Sequence, residues 1–376
     1  MSNTVTPEAM AAMEAKYLTL HEFVKAARYR LDANIWDYLT GATETETTMR
    51  RNRMGIDSLA FRPRVLRDVS TIDTTAKALG RPIRLPVLLA PVGGLESIAV
   101  GANGAATAGE GASAFGVPIM VSSVTQPGLE PAAAATPGMK IFQLYVRGDA
   151  AFIEDSIQRS LAAGYDAFCL TVDTAIYSRR ERDIVRRFAK PWRATATGDA
   201  QRHQAALNWD DVKRIKDRHP TLPLILKGIA TAEDALIACR HGVDVVYVSN
   251  HGGRQLDAGR GAIEVLPEVV QAVAGRARVW VDGGFCRGTD VVKALCLGAD
   301  MVGLGRLYCY ALAADGAAGL VRLLEILENE IRSCLGLLGA TSYAELGPSF
   351  VHAAMPTTLP HVHSAFPLLR LEDSGY

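Results

Sequence analysis

The chain contains 376 residues, and its 40 Lys and Arg balance 40 Asp and Glu, so the formal net charge is zero. That balance gives no electrostatic reason to expect a nucleic-acid partner, and no segment has the pattern of a membrane span or a signal peptide. The six cysteines show no C-x-x-C spacing, which favours reduced core residues of a cytoplasmic protein over a disulfide framework or a metal site.

The first elements along the chain are helical, and we expect them to form a lead-in over about residues 20–84. Apolar residues recur at helical intervals from Leu20 to Leu39, and Gly41 follows as a typical residue to end a helix. The polar segment Thr43–Ser58 is compatible with a further helix. Phe61–Leu66 contains a proline, which predicts an extended segment.

Apolar runs of strand length then recur eight times, separated by segments of helical length. Strands of a parallel sheet that is covered on both faces have such near-continuous apolar sequences. The predicted strands are Val87–Val92, Pro118–Ser123, Lys140–Val146, Ala167–Asp173, Leu222–Gly228, Val245–Gly252, Arg278–Gly284 and Met301–Arg306, and helices between them include Ala150–Ala163, Asp210–Arg218, Thr231–His241 and Gly288–Leu297.

Eight alternating units predict an α/β fold of the (β/α)8 TIM barrel type. A doubly wound open sheet is the rival, but Ala90–Ser97, after the first strand, lacks the GxGxxG phosphate motif that such a sheet would need. We therefore expect one domain over residues 1–376, with the barrel at 85–340 and a tail at 341–376. The tail has no helical periodicity and is predicted to wrap the surface or a neighbouring subunit.

Polar residues at the carboxyl ends of barrel strands are the candidate site, because active sites of this fold lie there. The segment after the sixth strand reads SNHGGRQLD, with His251 as a titratable base and Arg254 as a fixed cation. A histidine beside glycines is also common in turns, so this spacing alone leaves catalysis open. Lys227 follows an apolar run, and we expect it to face a ligand rather than to snorkel to solvent, since burying an unpaired ammonium is costly.

The last two strand ends carry glycines and arginines, where barrels commonly hold a phosphate. They comprise Asp282-Gly283-Gly284, then Arg287 before a helix, and Gly305-Arg306. Together with Lys227 and with polar side chains on neighbouring strands, they fit bound flavin mononucleotide (FMN), whose reduced form a lysine would stabilise. No second glycine-rich motif indicates nicotinamide.

The motifs FRPRVL, FQLYV, LTVDT, RRERD, LKG, SNHGGRQLD, VDGGFCRGTD and GLGR occur in this order. On these motifs the chain resembles the FMN-dependent α-hydroxy acid oxidase and dehydrogenase family, which includes glycolate oxidase, lactate oxidase, mandelate dehydrogenase and the flavin domain of flavocytochrome b2. The resemblance covers roughly Leu20 to Ala340. It implies oxidation of a 2-hydroxy acid to a 2-keto acid, followed by reoxidation of the flavin by oxygen, giving hydrogen peroxide, or by another acceptor.

The resemblance also implies roles for individual residues. His251 matches the base, Asp173 the carboxylate that pairs with it, and Tyr145 the tyrosine that binds the substrate hydroxyl. The positions that match substrate-binding residues are Tyr38, Tyr145, Arg180, His251 and Arg254. Those that match FMN-binding residues are Pro91, Val92, Gly93, Ser122, Gln143, Thr171, Lys227, Ser249, Asp282, Gly283, Gly284, Arg287, Gly305 and Arg306.

Two departures from the family pattern bear on substrate and acceptor. Gly93 stands where several members have alanine, and some members with glycine there react poorly with oxygen, which weakens the case for a simple oxidase. Val124 stands where glycolate oxidase has an aromatic residue, so we expect a substrate side chain larger than that of glycolate. The hydride and carbanion mechanisms both stay open, and the family implies a homotetramer or an octamer.

Other interpretations remain at this point. The loop Phe188–Leu207, with Trp192, is either a soluble lid over the flavin or an ordinary connector. The alternatives for the whole protein are an FMN barrel enzyme of other chemistry, such as an isomerase or a redox-maturation enzyme, and a non-catalytic FMN-binding protein. His251 and the arginines favour a small carboxylate substrate over either alternative.

Overall fold

A helical lead-in precedes the barrel in the computed structural model of this chain, which describes residues 5–191 and 198–370. The single helix predicted over Leu20–Leu39 is wrong in one respect, because the backbone is extended at Leu31 and Asp32 and two helices form. The Asp32 carboxylate caps the second of them by accepting from the N–H groups of Asn34 and Ile35 at 2.8 and 3.1 Å. The helices are α1 (Pro7–Lys16), α2 (Leu20–Arg30), α3 (Ala33–Thr40) and α4 (Thr47–Asp57).

Three short strands lie between α4 and the barrel. They are β1 (Leu59–Phe61), β2 (Ala76–Ala78) and β3 (Arg81–Ile83), of which β2 and β3 pair as an antiparallel hairpin. The extended segment predicted from Phe61 continues beyond β1 without further pairing as a strand.

Eight parallel strands then close into a barrel, which confirms the predicted TIM barrel. All eight predicted strands are present. All except the fifth end one to four residues earlier than predicted, because the last predicted residues leave the hydrogen-bonded sheet and form loops. The strands are β4 (Val87–Leu89), β5 (Ile119–Ser122), β6 (Lys140–Leu144), β7 (Ala167–Thr171), β8 (Leu224–Ile229), β9 (Val245–Val248), β10 (Arg278–Asp282) and β11 (Met301–Leu304). Each pairs with its neighbours in sequence, and β11 closes the barrel on β4.

Helices cover the outside of the barrel, and the four predicted helices are confirmed to within one residue at each end. They are α5 (Leu95–Ile98), α6 (Gly104–Phe115), α7 (Leu129–Ala134), α8 (Ala150–Ala162), α9 (Glu181–Val185), α10 (Gly198–Ala206), α11 (Trp209–Arg218), α12 (Ala232–Arg240), α13 (Ala262–Val273), α14 (Gly288–Cys296) and α15 (Arg306–Leu338). By length and composition α15 would suffice to cross a membrane, but 89% of its most apolar window is buried inside the molecule and it kinks at Asp315 and Gly316. Packing therefore accounts for its apolar sequence.

Side chains fill the barrel interior, so a ligand has no route through its centre. Tyr247 and Trp280 are almost fully buried there, with their ring centroids 6.0 Å apart. A Cβ on Gly303 would lie 1.9 Å from the Tyr247 hydroxyl, so this strand position has to be glycine for the tyrosine to fit. A filled interior leaves the carboxyl ends of the strands as the place for a ligand site.

The tail returns to the lead-in over the residues described. Its strand β12 (Val351–Ala353) pairs antiparallel with β1, and Phe366 is 1% exposed. The six cysteines all fall within the described ranges as free thiols, and all of them are buried except Cys239, which is partly exposed.

Candidate active site

The loop after β9 places His251 at the mouth of the barrel in an uncommon backbone conformation. His251 has φ of +59°, and Gly252 and Gly253 follow with φ of +64° and +78°. A Cβ on Gly253 would lie 2.5 Å from the backbone nitrogen of Met49, so α4 approaches the loop too closely for any other residue. The His251 N–H donates to Ser249 Oγ at 3.1 Å, which helps to hold this turn. Such left-handed backbone at a non-glycine residue is concentrated at functional sites.

The His251 ring lies between a carboxylate and a phenol. Its Nδ1 is 3.1 and 3.2 Å from the two oxygens of Asp173, and its Nε2 is 2.9 Å from the Tyr145 hydroxyl oxygen. A carboxylate accepts, so Nδ1 carries the ring proton and Nε2 accepts from Tyr145 in the neutral ring. This geometry presents an unprotonated nitrogen on the side of the ring away from Asp173.

Burial and neighbouring charges set the ionisation of this pair. Burial lowers the pKa of His251, and Asp173 offsets only part of that shift. Burial would raise the pKa of Asp173, but His251 and Lys227 outweigh it and lower the pKa. The pair is therefore a neutral imidazole beside an ionised carboxylate, which is the state in which a histidine can accept a proton.

Two arginines bring positive charge to the same cavity. Arg254 Nη1 donates to the backbone oxygens of Tyr38 and Gly41 at 2.5 and 2.8 Å, and its guanidinium carbon lies 4.6 Å from the Tyr38 ring centroid. Burial, together with the like charge of Arg180, lowers the pKa of Arg254 to about 10. Among the described residues, neither Arg254 Nη2 nor Arg180 Nε has a hydrogen-bond partner, although both atoms are buried. Buried, unsatisfied cationic donors are what an anionic ligand would satisfy.

A chain of buried polar groups forms the floor of the site. Lys227 Nζ donates to Ser249 Oγ at 2.8 Å, and Ser249 Oγ donates to Asp282 Oδ1 at 2.6 Å. Burial alone would lower the pKa of Lys227, but Asp282 and Asp173 outweigh it and raise the pKa, so the ammonium persists. Lys227 also lines the cavity, at the position from which it is predicted to face a ligand.

Most of the predicted site residues meet around one cavity of about 420 Å³, a size typical of ligand pockets. A second group lies immediately behind the wall, at or near the buried strand ends. Those lining the cavity are Tyr38, Pro91, Val92, Gly93, Tyr145, Arg180, Lys227, His251, Arg254, Asp282, Gly283, Gly284, Gly305 and Arg306. Those behind it are Ser122, Gln143, Thr171, Asp173 and Ser249.

The structure does not place Arg287 on the cavity, which corrects its predicted contact with the cofactor. Its guanidinium pairs with Glu330 of α15 at 2.5 Å and donates to the backbone oxygen of Ala365 at 3.2 Å. The Arg287 side chain extends from the start of α14 toward α15, because the Glu330 carboxylate pairs with it there. The preceding residue, Cys286, lines the cavity instead, and burial raises the pKa of its thiol to about 12.

Several lining residues lie outside the sequence-based prediction. Tyr177 holds its ring 4.7 Å from the Arg180 guanidinium carbon, and Gln204 of α10 bridges strands by accepting from Val146 N–H and donating to Thr171 O. Tyr177 adjoins the RRERD motif and Gln204 lies in the proposed lid loop, so both had a signal in the sequence. The other wall residues not anticipated include Asn52, Arg53, Arg147, Gln201, His361 and Val362.

The described parts of the loop after β7 are held by the helical lead-in and by the loop's own backbone. Arg182 donates to Glu46 at 2.6 Å, Arg186 pairs with Asp37 of α3, and Gln201 of α10 donates to Ala175 O at 2.7 Å. Trp192, the aromatic residue of the predicted lid, lies outside the described residues.

The donor set of the cavity fits FMN. Gln143 Nε2 donates to Thr171 Oγ1 at 2.8 Å, while its Oε1 is buried without a hydrogen-bond partner among the described residues and can accept from a flavin ring N–H. A Cβ on Gly305 would meet nothing within 4 Å, so the backbone there is open to a phosphate. A buried ammonium on the floor is suited to a ring that gains negative charge on reduction.

Comparison with known proteins agrees with this geometry. A family described as FMN-dependent dehydrogenase matches residues 27–353. L-lactate oxidase of Nostoc sp. is 36% identical over 89% of this chain and 98% of its own length. Glycolate oxidase of Spinacia oleracea is 37% identical over 89% of this chain and 95% of its own length. A crystal structure of mandelate oxidase superposes with a TM-score of 0.84 at 36% identity, covering 91% of this chain and all of that one.

Proposed function

The chain belongs to the family of FMN-dependent dehydrogenases, and on that premise we propose that it oxidises an (S)-2-hydroxy acid to the corresponding 2-keto acid. The observation that carries this proposal is the neutral, buried His251 held by Asp173 and Tyr145 in the same cavity as the unsatisfied Arg254. A base beside a cation suits a substrate that bears both an ionised carboxylate and a carbon–hydrogen bond to be oxidised. FMN supplies the two-electron acceptor when it is bound.

Each side chain has a defined task in this reaction. Arg254 and Arg180 bind the substrate carboxylate through planar guanidinium groups, and their burial strengthens that pairing. His251 Nε2 accepts one of the two protons that the substrate releases, from either its hydroxyl group or its α-carbon. Asp173 stabilises the imidazolium that results, and the Tyr145 hydroxyl binds the substrate oxygen beside Nε2.

The wall near Tyr38 favours a substrate side chain larger than that of glycolate. Gly93 and Val124 both line the cavity, and Val124 is less bulky than the aromatic residue that glycolate oxidase has at the matching position. Relatives are named for lactate, glycolate and mandelate, which differ in this side chain. The two small residues therefore support a 2-hydroxy acid with an aromatic or long side chain as substrate.

The substrate class and acceptor are tested by mixing the holoprotein without oxygen with glycolate, L-lactate, (S)-mandelate or a long-chain (S)-2-hydroxy acid. We expect mandelate or the long-chain acid to bleach the flavin absorbance fastest, because the wall leaves room for their side chains. Air is then admitted and the return of absorbance is timed. Fast return establishes an oxidase, whereas slow return establishes a dehydrogenase with another acceptor.

The matched control is the (R)-enantiomer of the best acid, which should bind with its carboxylate in place but leave the flavin oxidised. Flavin that no 2-hydroxy acid bleaches would refute the proposed reaction and favour an FMN barrel of other chemistry or a binding protein. Fastest bleaching by glycolate would refute only the proposed substrate size.

The rate should also depend on pH through His251. Only the neutral ring accepts a proton, and burial lowers the pKa of His251 below the usual 6.5. We therefore expect kcat/KM to rise with pH to a plateau, with the midpoint of this acidic limb below pH 6.5. Asp173 raises the His251 pKa, so Asp173→Asn should move the limb to still lower pH while reducing the plateau. Steady-state pH profiles of both proteins give the two values, and a limb that moved upward in Asp173→Asn would contradict this assignment.

A further inference from the structure

The tail beyond β12 reaches the wall of the cofactor cavity. His361 and Val362 line that cavity, and the residues that follow them are anchored to the rest of the protein. Phe366 is buried with its ring 5.6 Å from that of His21, and Arg287 donates to the backbone oxygen of Ala365 at 3.2 Å. The tail is therefore part of the site and not only a surface strap.

Contacts of the neighbouring His363 show which end of the cavity the tail reaches. The His363 ring stacks on Trp36 of α3 at 5.4 Å between centroids, and its Nε2 lies 3.2 Å from the hydroxyl of Tyr310. Tyr310 is in the first turns of α15, whose N-cap is Gly305. The tail thus approaches the end after the seventh and eighth barrel strands, where barrels bind phosphate.

The conformation of His361 is fixed by the tail itself. Its Nδ1 accepts from the backbone N–H of His363 at 3.1 Å, and its backbone oxygen accepts from Ser364 Oγ at 2.9 Å. An accepting Nδ1 places the ring proton of a neutral histidine on Nε2. In the neutral ring of His361, Nε2 is therefore the nitrogen that can donate a hydrogen bond.

The arginines of this end are already engaged. Each side-chain nitrogen of Arg306 donates to a backbone oxygen, those of Leu39, Gly252 and Gly41, at 2.9, 3.1 and 2.8 Å. Arg287 is paired with Glu330, and Arg53, also on the wall, is paired with Asp290 at 2.6 Å. A phosphate that carries close to two negative charges would gain from a further donor at this end.

We propose that His361 binds the phosphate of FMN, with Nε2–H as donor, so that the C-terminal tail completes the phosphate subsite. The inference rests on the family's cofactor and on the position of the tail, and it does not depend on which acid is oxidised. It also gives the tail a function in retaining the cofactor.

Two substitutions separate the donor from the packing of the ring. His361→Asn keeps an acceptor near the position of Nδ1 for the His363 N–H but removes the Nε2 donor, whereas His361→Gln keeps a donor near Nε2. A charge-assisted hydrogen bond corresponds to about tenfold or more in affinity. We expect the Asn holoprotein to release FMN about tenfold faster on dilution, and the Gln holoprotein to stay within about threefold of the unsubstituted protein.

Release is followed by the rise in flavin fluorescence, and the ³¹P resonance of bound FMN is recorded for each protein. The Asn variant should shift that resonance while leaving the visible flavin spectrum unchanged. His352→Asn is the matched control, since His352 lies on β12 with an exposed side chain, and it should change neither measurement. Equal release from the Asn and Gln variants, or an unchanged ³¹P resonance in Asn, would overturn the proposal.

A further measurement does not need the Asn variant to fold. In unsubstituted protein labelled with ¹⁵N-histidine, FMN should shift the His361 Nε2 resonance and riboflavin, which lacks the phosphate, should leave it in place. The resonance is assigned by its absence from the spectrum of His361→Gln. An equal shift with both flavins would mean that the ring senses the flavin ring system and not the phosphate, and would refute the inference.

Discussion

His251→Gln should reduce the rate of flavin reduction by substrate about 10²- to 10⁴-fold while the protein keeps its FMN. A glutamine amide can still hydrogen-bond to Asp173 and Tyr145, which lie 3.1 and 2.9 Å from the histidine nitrogens. It cannot accept a proton, so the base is lost and the walls of the cavity stay. The rate is measured by stopped-flow absorbance without oxygen at saturating substrate.

The matched control is His241→Gln, because His241 stacks on Trp209 at the C-terminal end of α12, away from the cavity. We expect that variant to reduce its flavin at the unsubstituted rate. A His251→Gln protein that kept its FMN and was reduced within threefold of the unsubstituted rate would show that His251 is not the base. Loss of FMN from the variant would instead assign the loop a structural role.

Arg254→Lys should lower kcat/KM for the 2-hydroxy acid about 10²- to 10³-fold, the loss expected when a buried charged partner no longer fits. A lysine offers a compact ammonium that cannot donate to Tyr38 O and Gly41 O and also form a planar pair with a carboxylate. The same kinetics measured with the methyl ester isolate the charge. The unsubstituted protein should strongly prefer the acid, and the variant should lose most of that preference.

Arg278→Lys serves as the control for the loss of a guanidinium, since Arg278 is 70% exposed at the start of β10, the opposite end of the barrel. It should leave both substrates unaffected. If Arg254→Lys slowed the acid and the ester by the same factor, Arg254 would be holding the lead-in helix in place and not the substrate carboxylate.

The barrel and its active end were predictable because they depend on local sequence. Each strand is a short apolar run such as Val245–Val248, and the residues after it must lie at the carboxyl end of a parallel barrel. The split between α2 and α3 was missed although Asp32 is a good N-cap residue, because the apolar spacing continues across it. Local capping outweighed periodicity there.

The parts of the site that could not be predicted depend on contacts between distant segments. The direction of Arg287 is decided by Glu330, 43 positions away, and nothing in the sequence near Arg287 indicates that pairing. His361 reaches the cavity only because the tail is held by Trp36, Tyr310 and the barrel. Tyr145 and His251 were assigned by resemblance, and their separation of 2.9 Å required the closed barrel.

The two arginines that hold the end of α3 also determine when the site can form. Arg306 and Arg254 both donate to the backbone oxygen of Gly41, across 265 and 213 positions of sequence. Contacts of such separation form slowly, because a long loop must close before they yield any stabilisation. Because Gly41 precedes both arginines by more than 200 positions, the lead-in leaves the ribosome long before they do. The pocket can assemble only when the last barrel strand has emerged, which makes flavin capture a late event in the biogenesis of this protein.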